Sequence, residues 1–185
     1  MQQSSEEGVA PRPETPAPAW RVHMPSPLGP LGLELTGSIV TRVRIDLPDG
    51  ERAAYCSVND LDGEDSDVLE EVCGRFAEYF AGARKKLEVE FDLCACGLEP
   101  FARRVLRETA KIPYGRTRTY RDVAEVAGRP EAYRQVLAVL SENPLPIVIP
   151  CHRVVATRSG IGGYVAGGER KLWLLKLEEE GLQDC

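Results

Sequence analysis

The 185-residue chain changes character at Gly97. Residues 1–97 hold 9 Lys and Arg against 18 Asp and Glu, whereas residues 98–185 hold 14 against 11, so a formal charge of -6 divides into -9 and +3. Short β-favouring runs fill the first part and helical spacings fill the second. This predicts a small amino-terminal α/β domain with short strands, followed by a mostly helical carboxy-terminal domain. The division bounds function too. The chain is not basic all over, as many nucleic-acid binders are, yet its basic half can meet phosphates while the acidic half faces solvent.

Residues 1–19 are rich in Pro, Ser and Glu with almost nothing to bury, and read as a disordered leader. The amino-terminal domain then spans 20–96. In it, Leu31 to Leu35 and Ile39 to Leu47 are hairpin strands separated by Gly and Pro. Asp67 to Ala81 places Val68, Leu69, Val72, Phe76, Tyr79 and Phe80 at helical spacings, and Lys85 to Leu93 alternates like a strand. The carboxy-terminal domain, 97–185, opens with a helix from Phe101 to Lys111 whose Arg103, Arg104 and Arg107 form a solvated face. After Ile112-Pro113-Tyr114-Gly115, Thr119 caps a short helix that stops at Gly128, and Pro130 precedes a further helix over 131–143. Two short helices across a tight Gly-Arg-Pro turn fit a helix-turn-helix, a pattern that other helical hairpins share. A Gly-rich loop and a last helix over 172–181 complete the chain.

No stretch approaches the roughly 18 apolar residues of a spanning helix, and the amino terminus lacks a basic segment before an apolar run, so a cytoplasmic protein with no membrane partner is expected. Cys56, Cys73, Cys94, Cys96, Cys151 and Cys185 form neither a disulfide framework nor a paired zinc site. Cys94-Ala-Cys96 reads as structural or incidental, and no metal is expected.

Chemistry concentrates at Cys151-His152, inside an apolar, proline-framed segment from Ile147 to Val155 that reads as a strand. A small buried Cys beside a hydrogen-bonded His is common in cores, so the dipeptide alone leaves a structural and a catalytic role open. A reactive thiolate needs a base or a positive charge nearby, and His152 is the plausible base. Adjacent residues of an extended strand point to opposite sides. Contact between the two therefore requires a turned backbone, or a water that carries the proton. An acid among Glu178 to Glu180 is placed to orient the imidazole, although glutamates at a helix end are ordinarily solvated. The other histidine, His23, reads as a surface or edge-strand residue.

Several separated motifs in register carry a resemblance: IPYGRTRTY at 112–120, an arginine in the second helix of the pair, NPxPIVIPCHRVV from Asn143, Gly162-Gly163-Tyr164, and ERKxWLL at 169–175. From Phe101 to Glu178 the chain closely resembles the O6-alkylguanine-DNA alkyltransferases. The amino-terminal half is similar in outline, through SPLGPLGLEL at 26–35. The resemblance implies DNA repair by direct damage reversal: a winged-helix-like helix-turn-helix binds the minor groove, a guanine is flipped out, and its alkyl group passes irreversibly to cysteine. It implies one turnover per molecule, no cofactor, a monomer, and double-stranded DNA containing O6-alkylguanine as partner.

Carried over residue by residue, Cys151 is the nucleophile, His152 activates it through a bound water, Glu178 orients His152, and Tyr120 assists flipping and leaving-group protonation. Arg134 enters the duplex in place of the flipped base, with Gln135 beside it on the DNA. Asn143 braces the turn to the cysteine and Tyr164 walls the alkyl pocket. Backbone carbonyls of Cys151 and Val154 and the amide of Val165 read the guanine edge. The chain departs from the family pattern at Leu137 and Gln135, where small residues are usual, at Val165-Ala166-Gly167-Gly168, and around Leu98. Bulk at Leu137 and Gln135 obstructs a close approach of helix to groove. Two other readings follow: a damage-binding module that does not repair, against which Cys151 argues, and a thiol hydrolase, for which no acyl-binding signature is present.

Overall fold

Alternation along Leu31-Gly32-Leu33-Glu34-Leu35 sets the register of the amino-terminal sheet. The computed structural model describes residues 20–60, 66–93, 97–157 and 160–183; the leader and the Cys94-Ala-Cys96 pair lie outside them. Strand β1 (Trp20–Met24) pairs antiparallel with β2 (Leu31–Thr36), and β2 with β3 (Ile39–Ile45). A single turn, α1 (Asp49–Arg52), leads to the short strand β4 (Cys56–Ser57), which lies parallel to β1. The register Val22↔Leu33↔Val43 puts three apolar side chains in line across the sheet, all buried. Helix α2 (Ser66–Phe80) adds Leu69, Val72, Phe76, Tyr79 and Phe80 to the same core.

The strand expected over Lys85–Leu93 shrinks to β5 (Glu90–Phe91), parallel to β3 at the sheet's far edge. Glu88, at a φ of 53°, takes a left-handed conformation that a continuous ladder excludes. For His23 the edge-strand alternative is corrected: it pairs with Gly32 on one side and Ser57 on the other, so β1 is an inner strand, and the residue is half-buried.

In the second half, α3 (Pro100–Ala110) packs against α4 (Tyr120–Val126) and α5 (Tyr133–Ser141). Thr119 caps α4 as its sequence predicts. Its hydroxyl accepts from the Asp122 amide at 3.2 Å, and the Asp122 carboxylate accepts from the Thr119 amide at 2.7 Å, a closed capping box. Gly128, at a φ of 80°, ends the turn after α4. Strand β6 (Arg118–Thr119) runs into that cap and pairs in parallel with β7 (Val154–Val155), tying the helical hairpin to the segment after His152. The last helix, α6 (Gly168–Gln183), begins four residues before the expected Leu172.

The two halves share one buried cluster. Between them the Val43 amide donates to the Pro144 carbonyl at 2.9 Å, and Arg170 bonds the Leu28 carbonyl at 2.8 Å and the Asp46 carboxylate at 2.5 Å. Among the described residues no helix is long and apolar enough to cross a membrane, and no group of three metal-binding side chains occurs.

Gly115 turns the chain between α3 and β6 at a φ of 67°, a conformation that costs a residue with Cβ about 1–2 kcal/mol. A Cβ there would also overlap Leu182 of α6. Gly115→Ala is therefore expected to lower unfolding stability by at least about 1 kcal/mol in urea titration; an unchanged midpoint would contradict this account of the turn.

Candidate active site

Pro144, Pro146 and Pro150 lack amide donors, so the apolar stretch that holds Cys151 cannot extend a ladder. The side chain of Asn143 substitutes for one. Its Nδ2 donates to the Ile149 carbonyl at 3.0 Å and to Cys151 Sγ at 3.1 Å, and its Oδ1 accepts from the Leu145 amide at 3.1 Å. The Ile149 amide closes the turn on the Leu145 carbonyl at 2.8 Å. Within it Ile147 is held at a φ of 74°, strain that a β-branched residue keeps only when its surroundings over-determine it. The chain then tightens into a 3-10 turn at Cys151–Arg153. This corrects the strand reading of Ile147–Val155: the backbone turns at the two residues of interest, which an extended strand would have sent to opposite faces.

Cys151 is 3 % exposed and His152 is fully buried. Burial pushes the Cys151 thiol up to about 11, against the opposing pull of the Asn143 donor and the Lys171 ammonium. The resting group is a thiol.

Glu178 is the receiver around which the site is arranged. Glu179 and Glu180 are exposed, but Glu178 is fully buried. Its Oε1 lies 2.9 Å from His152 Nε2 and accepts from Arg153 Nη2 at 2.8 Å and from the Tyr79 hydroxyl at 2.7 Å. Oε2 accepts from the Gly115 amide at 2.9 Å, and Arg153 Nε donates to both oxygens at 3.0 Å. Burial alone would raise this carboxyl; hydrogen bonds from His152 and Arg153, with the Arg153 charge and the charge that His152 carries once protonated in acid, outweigh it and hold the group at about 2. Burial lowers His152 below its ordinary value. At neutral pH the pair is thus a carboxylate and a neutral imidazole. The carboxylate accepts the Nε2 proton, which leaves Nδ1 as the lone-pair nitrogen. Among the described residues Nδ1 has no hydrogen-bond partner, and the ring meets Tyr164 edge-on at 6.2 Å between centroids.

A second buried charge frames the other side of the thiol. Lys171 Nζ donates to the Val154 carbonyl at 2.6 Å and the Gly163 carbonyl at 2.9 Å, and burial lowers it to about 8. Tyr120, itself buried, donates to the same Gly163 carbonyl at 3.2 Å. The Gly-rich loop is thereby clamped over the floor of the site. The remaining slot above Cys151 is lined by Tyr120, Leu137, Leu140, Ser141, Gly163 and Tyr164 and encloses about 10 Å³.

The structure therefore brings Cys151, His152, Glu178, Asn143, Tyr120, Tyr164 and Val154 together. Arg134, Gln135 and Leu137 stand on the exposed face of α5, with the Arg134 guanidinium over the Tyr133 ring at 5.6 Å, and Val165 is exposed on the loop after Tyr164. Sequence reasoning missed Tyr79, Gly115, Arg153 and Lys171. For Lys171 a signal existed: Lys171, Leu174 and Glu178 fall at i, i+3 and i+7 of α6, a charged pair on the buried stripe of the helix.

A carboxylate depressed from 4.5 to about 2 contributes stability that is fully present above its unfolded value and is lost as pH falls through about 2. The contribution is about 3 kcal/mol. Glu178→Gln is expected to lose stability of that order at neutral pH, and to show a flatter decline than the parent between pH 4.5 and 2 in urea titrations. Parallel declines for the two proteins would contradict the ionised, donor-saturated Glu178.

Residues 100–180 match the family model described as 6-O-methylguanine DNA methyltransferase, DNA binding domain. The methylated-DNA--protein-cysteine methyltransferase of Mycobacterium leprae is 37% identical over 158 residues, 84% of this chain and 90% of that protein. Its namesake from Methanosarcina barkeri is 36% identical, across 85% of this chain and 96% of that one. Among solved structures, Mycobacterium tuberculosis O6-methylguanine methyltransferase aligns at TM-score 0.70 and 33% identity, covering 87% of this chain and 93% of that chain. Mycobacterium tuberculosis OGT in complex with DNA aligns at TM-score 0.74 and 33% identity, covering 88% and 94%. The likeness spans both halves of the molecule and takes in the Cys151, His152 and Glu178 segments, and the chain belongs to the methylated-DNA--protein-cysteine methyltransferase family.

Proposed function

We propose that this protein repairs DNA by direct damage reversal, moving the alkyl group of O6-alkylguanine in double-stranded DNA onto Cys151 in one irreversible turnover. The observation that carries the reading is the buried His152–Glu178 pair, set in the same 3-10 turn as the buried Cys151 and with a lone pair left on Nδ1. Cys151 Sγ attacks the alkyl carbon as its C–O6 bond breaks. The thiol proton passes to His152 Nδ1, directly or through one water, and Glu178 stabilises the imidazolium that forms. The departing guanine takes up a proton, for which the Tyr120 hydroxyl serves as relay. An S–H and an O–C bond are exchanged for an S–C bond and a protonated guanine, so the balance closes without a cofactor. Lys171 opposes the negative charge that develops on sulfur.

The helix pair α4 and α5 acts as the helix-turn-helix of the carboxy-terminal domain, 97–185, with the α/β domain, 20–96, behind it. Arg134 enters the duplex where the guanine leaves, and Gln135 lies along the groove. The Val154 carbonyl gives one lone pair to Lys171 and keeps the other for the base, beside the Cys151 carbonyl and the Val165 amide. Asn143 aims the sulfur and Tyr164 walls the alkyl slot. The protein acts as a monomer in the cytoplasm.

A damage-recognition role without transfer is the second reading, favoured by one observation: Leu137 is 40% exposed on the helix face that would approach the groove. Intact mass after incubation with duplex DNA carrying O6-methylguanine decides between them. A gain of roughly 14 Da on the peptide containing Cys151 is expected, lost in a Cys151→Ala variant that still binds DNA. Binding without a mass gain would sink the transfer reading in favour of recognition alone.

A further inference from the structure

Oε1 of Glu178 is a crowded acceptor. It receives the Tyr79 hydroxyl at 2.7 Å, Arg153 Nη2 at 2.8 Å, His152 Nε2 at 2.9 Å and Arg153 Nε at 3.0 Å. One carboxylate oxygen offers about two lone pairs, so these donors compete, and each weakens the hold of Oε1 on the others. Three belong to residues that directly follow Cys151. The fourth comes from α2 in the amino-terminal half, 99 residues before Glu178. Its placement is fixed: Tyr79 is 2% exposed, and its ring packs edge-on against Tyr114 at 6.2 Å and Phe80 at 5.7 Å. The hydroxyl therefore faces the carboxylate rather than solvent.

We propose that Tyr79 is a positioning residue for alkyl transfer: delivered by the amino-terminal half, its hydroxyl shares Oε1 of Glu178 with His152 and so tunes how strongly the imidazole takes the thiol proton. The proposal rests on the transfer reading above. With Tyr79 in place, Glu178 divides its charge between the phenol and the imidazole. Without it, Oε1 draws harder on the Nε2 proton and favours the imidazolium.

The other groups around the pair keep their places in a Tyr79→Phe variant, which retains the ring. Arg153 of the 3-10 turn and Lys171 of α6 oppose positive charge on His152. Tyr114 lies in the turn after α3 with the Arg153 guanidinium 5.8 Å from its ring, and Tyr164 and Cys151 face the pair from the loop and the turn. Only the donor is removed.

The test is the pH dependence of single-turnover methyl transfer from duplex O6-methylguanine DNA, in the full chain and its Tyr79→Phe variant. The acid limb of the profile is expected to move to higher pH, so that the rate below its midpoint falls several-fold while the plateau above it is retained. The His152 ring titration, followed by NMR in the DNA-free proteins, is expected to move in the same direction. A purely structural Tyr79 would lower the melting temperature and leave both curves where they were; that outcome, or a displacement to lower pH, overturns the proposal. Absence of transfer in the parent protein would refute the transfer reading instead, and the His152 titration would then decide the Tyr79 coupling alone.

Discussion

A carboxylate cannot be buried in a protein without enough donors, since the desolvation of one ion costs several kcal/mol. Glu178 meets that requirement with donors from three separate stretches of chain: Tyr79 on α2, the Gly115 turn, and the His152-Arg153 pair of the 3-10 turn. Each donor is fixed by something else. Gly115 offers its amide because it adopts a left-handed turn, and Arg153 reaches Glu178 while its Nη1 bonds the Ile112 carbonyl at 2.6 Å. The carboxylate is thus the point at which the two halves of the molecule and the segment bearing the thiol are tied together.

Chemical competence follows from the same arrangement. An ionised Glu178 selects the imidazole tautomer, and the tautomer decides which nitrogen is left to accept a proton. Burial keeps the thiol protonated in the resting protein. Asn143 and the strained Ile147 set where the sulfur points. Lys171 and Tyr120 hold the loop that covers it. These are positional devices.

Much of this was legible in the residues, where the signal was local. The Thr119 cap, the Gly128 stop and the apolar stripe of α2 all depend on neighbours within a few positions, and they stand where their spacing placed them. Alternation over Lys85–Leu93 misled because a strand also needs a partner edge, and only Glu90–Phe91 finds one. Cys151 and His152 were visible by type, but the turn between them depends on Asn143 reaching forward to Ile149 and the sulfur. Tyr79 was counted as one more apolar position of α2, because its partner lies 99 residues away. Arg153 and Lys171 carry charges that ordinarily mean solvent, and only the packed fold shows the carboxylate and carbonyls that receive them.

The most direct measurement is nitrogen-15 NMR of the His152 ring in the resting, DNA-free protein near neutral pH. A neutral imidazole protonated at Nε2 toward Glu178, with Nδ1 unprotonated, is expected. A proton on Nδ1, or on both nitrogens, would contradict it, for the base required to take the Cys151 proton would already be occupied.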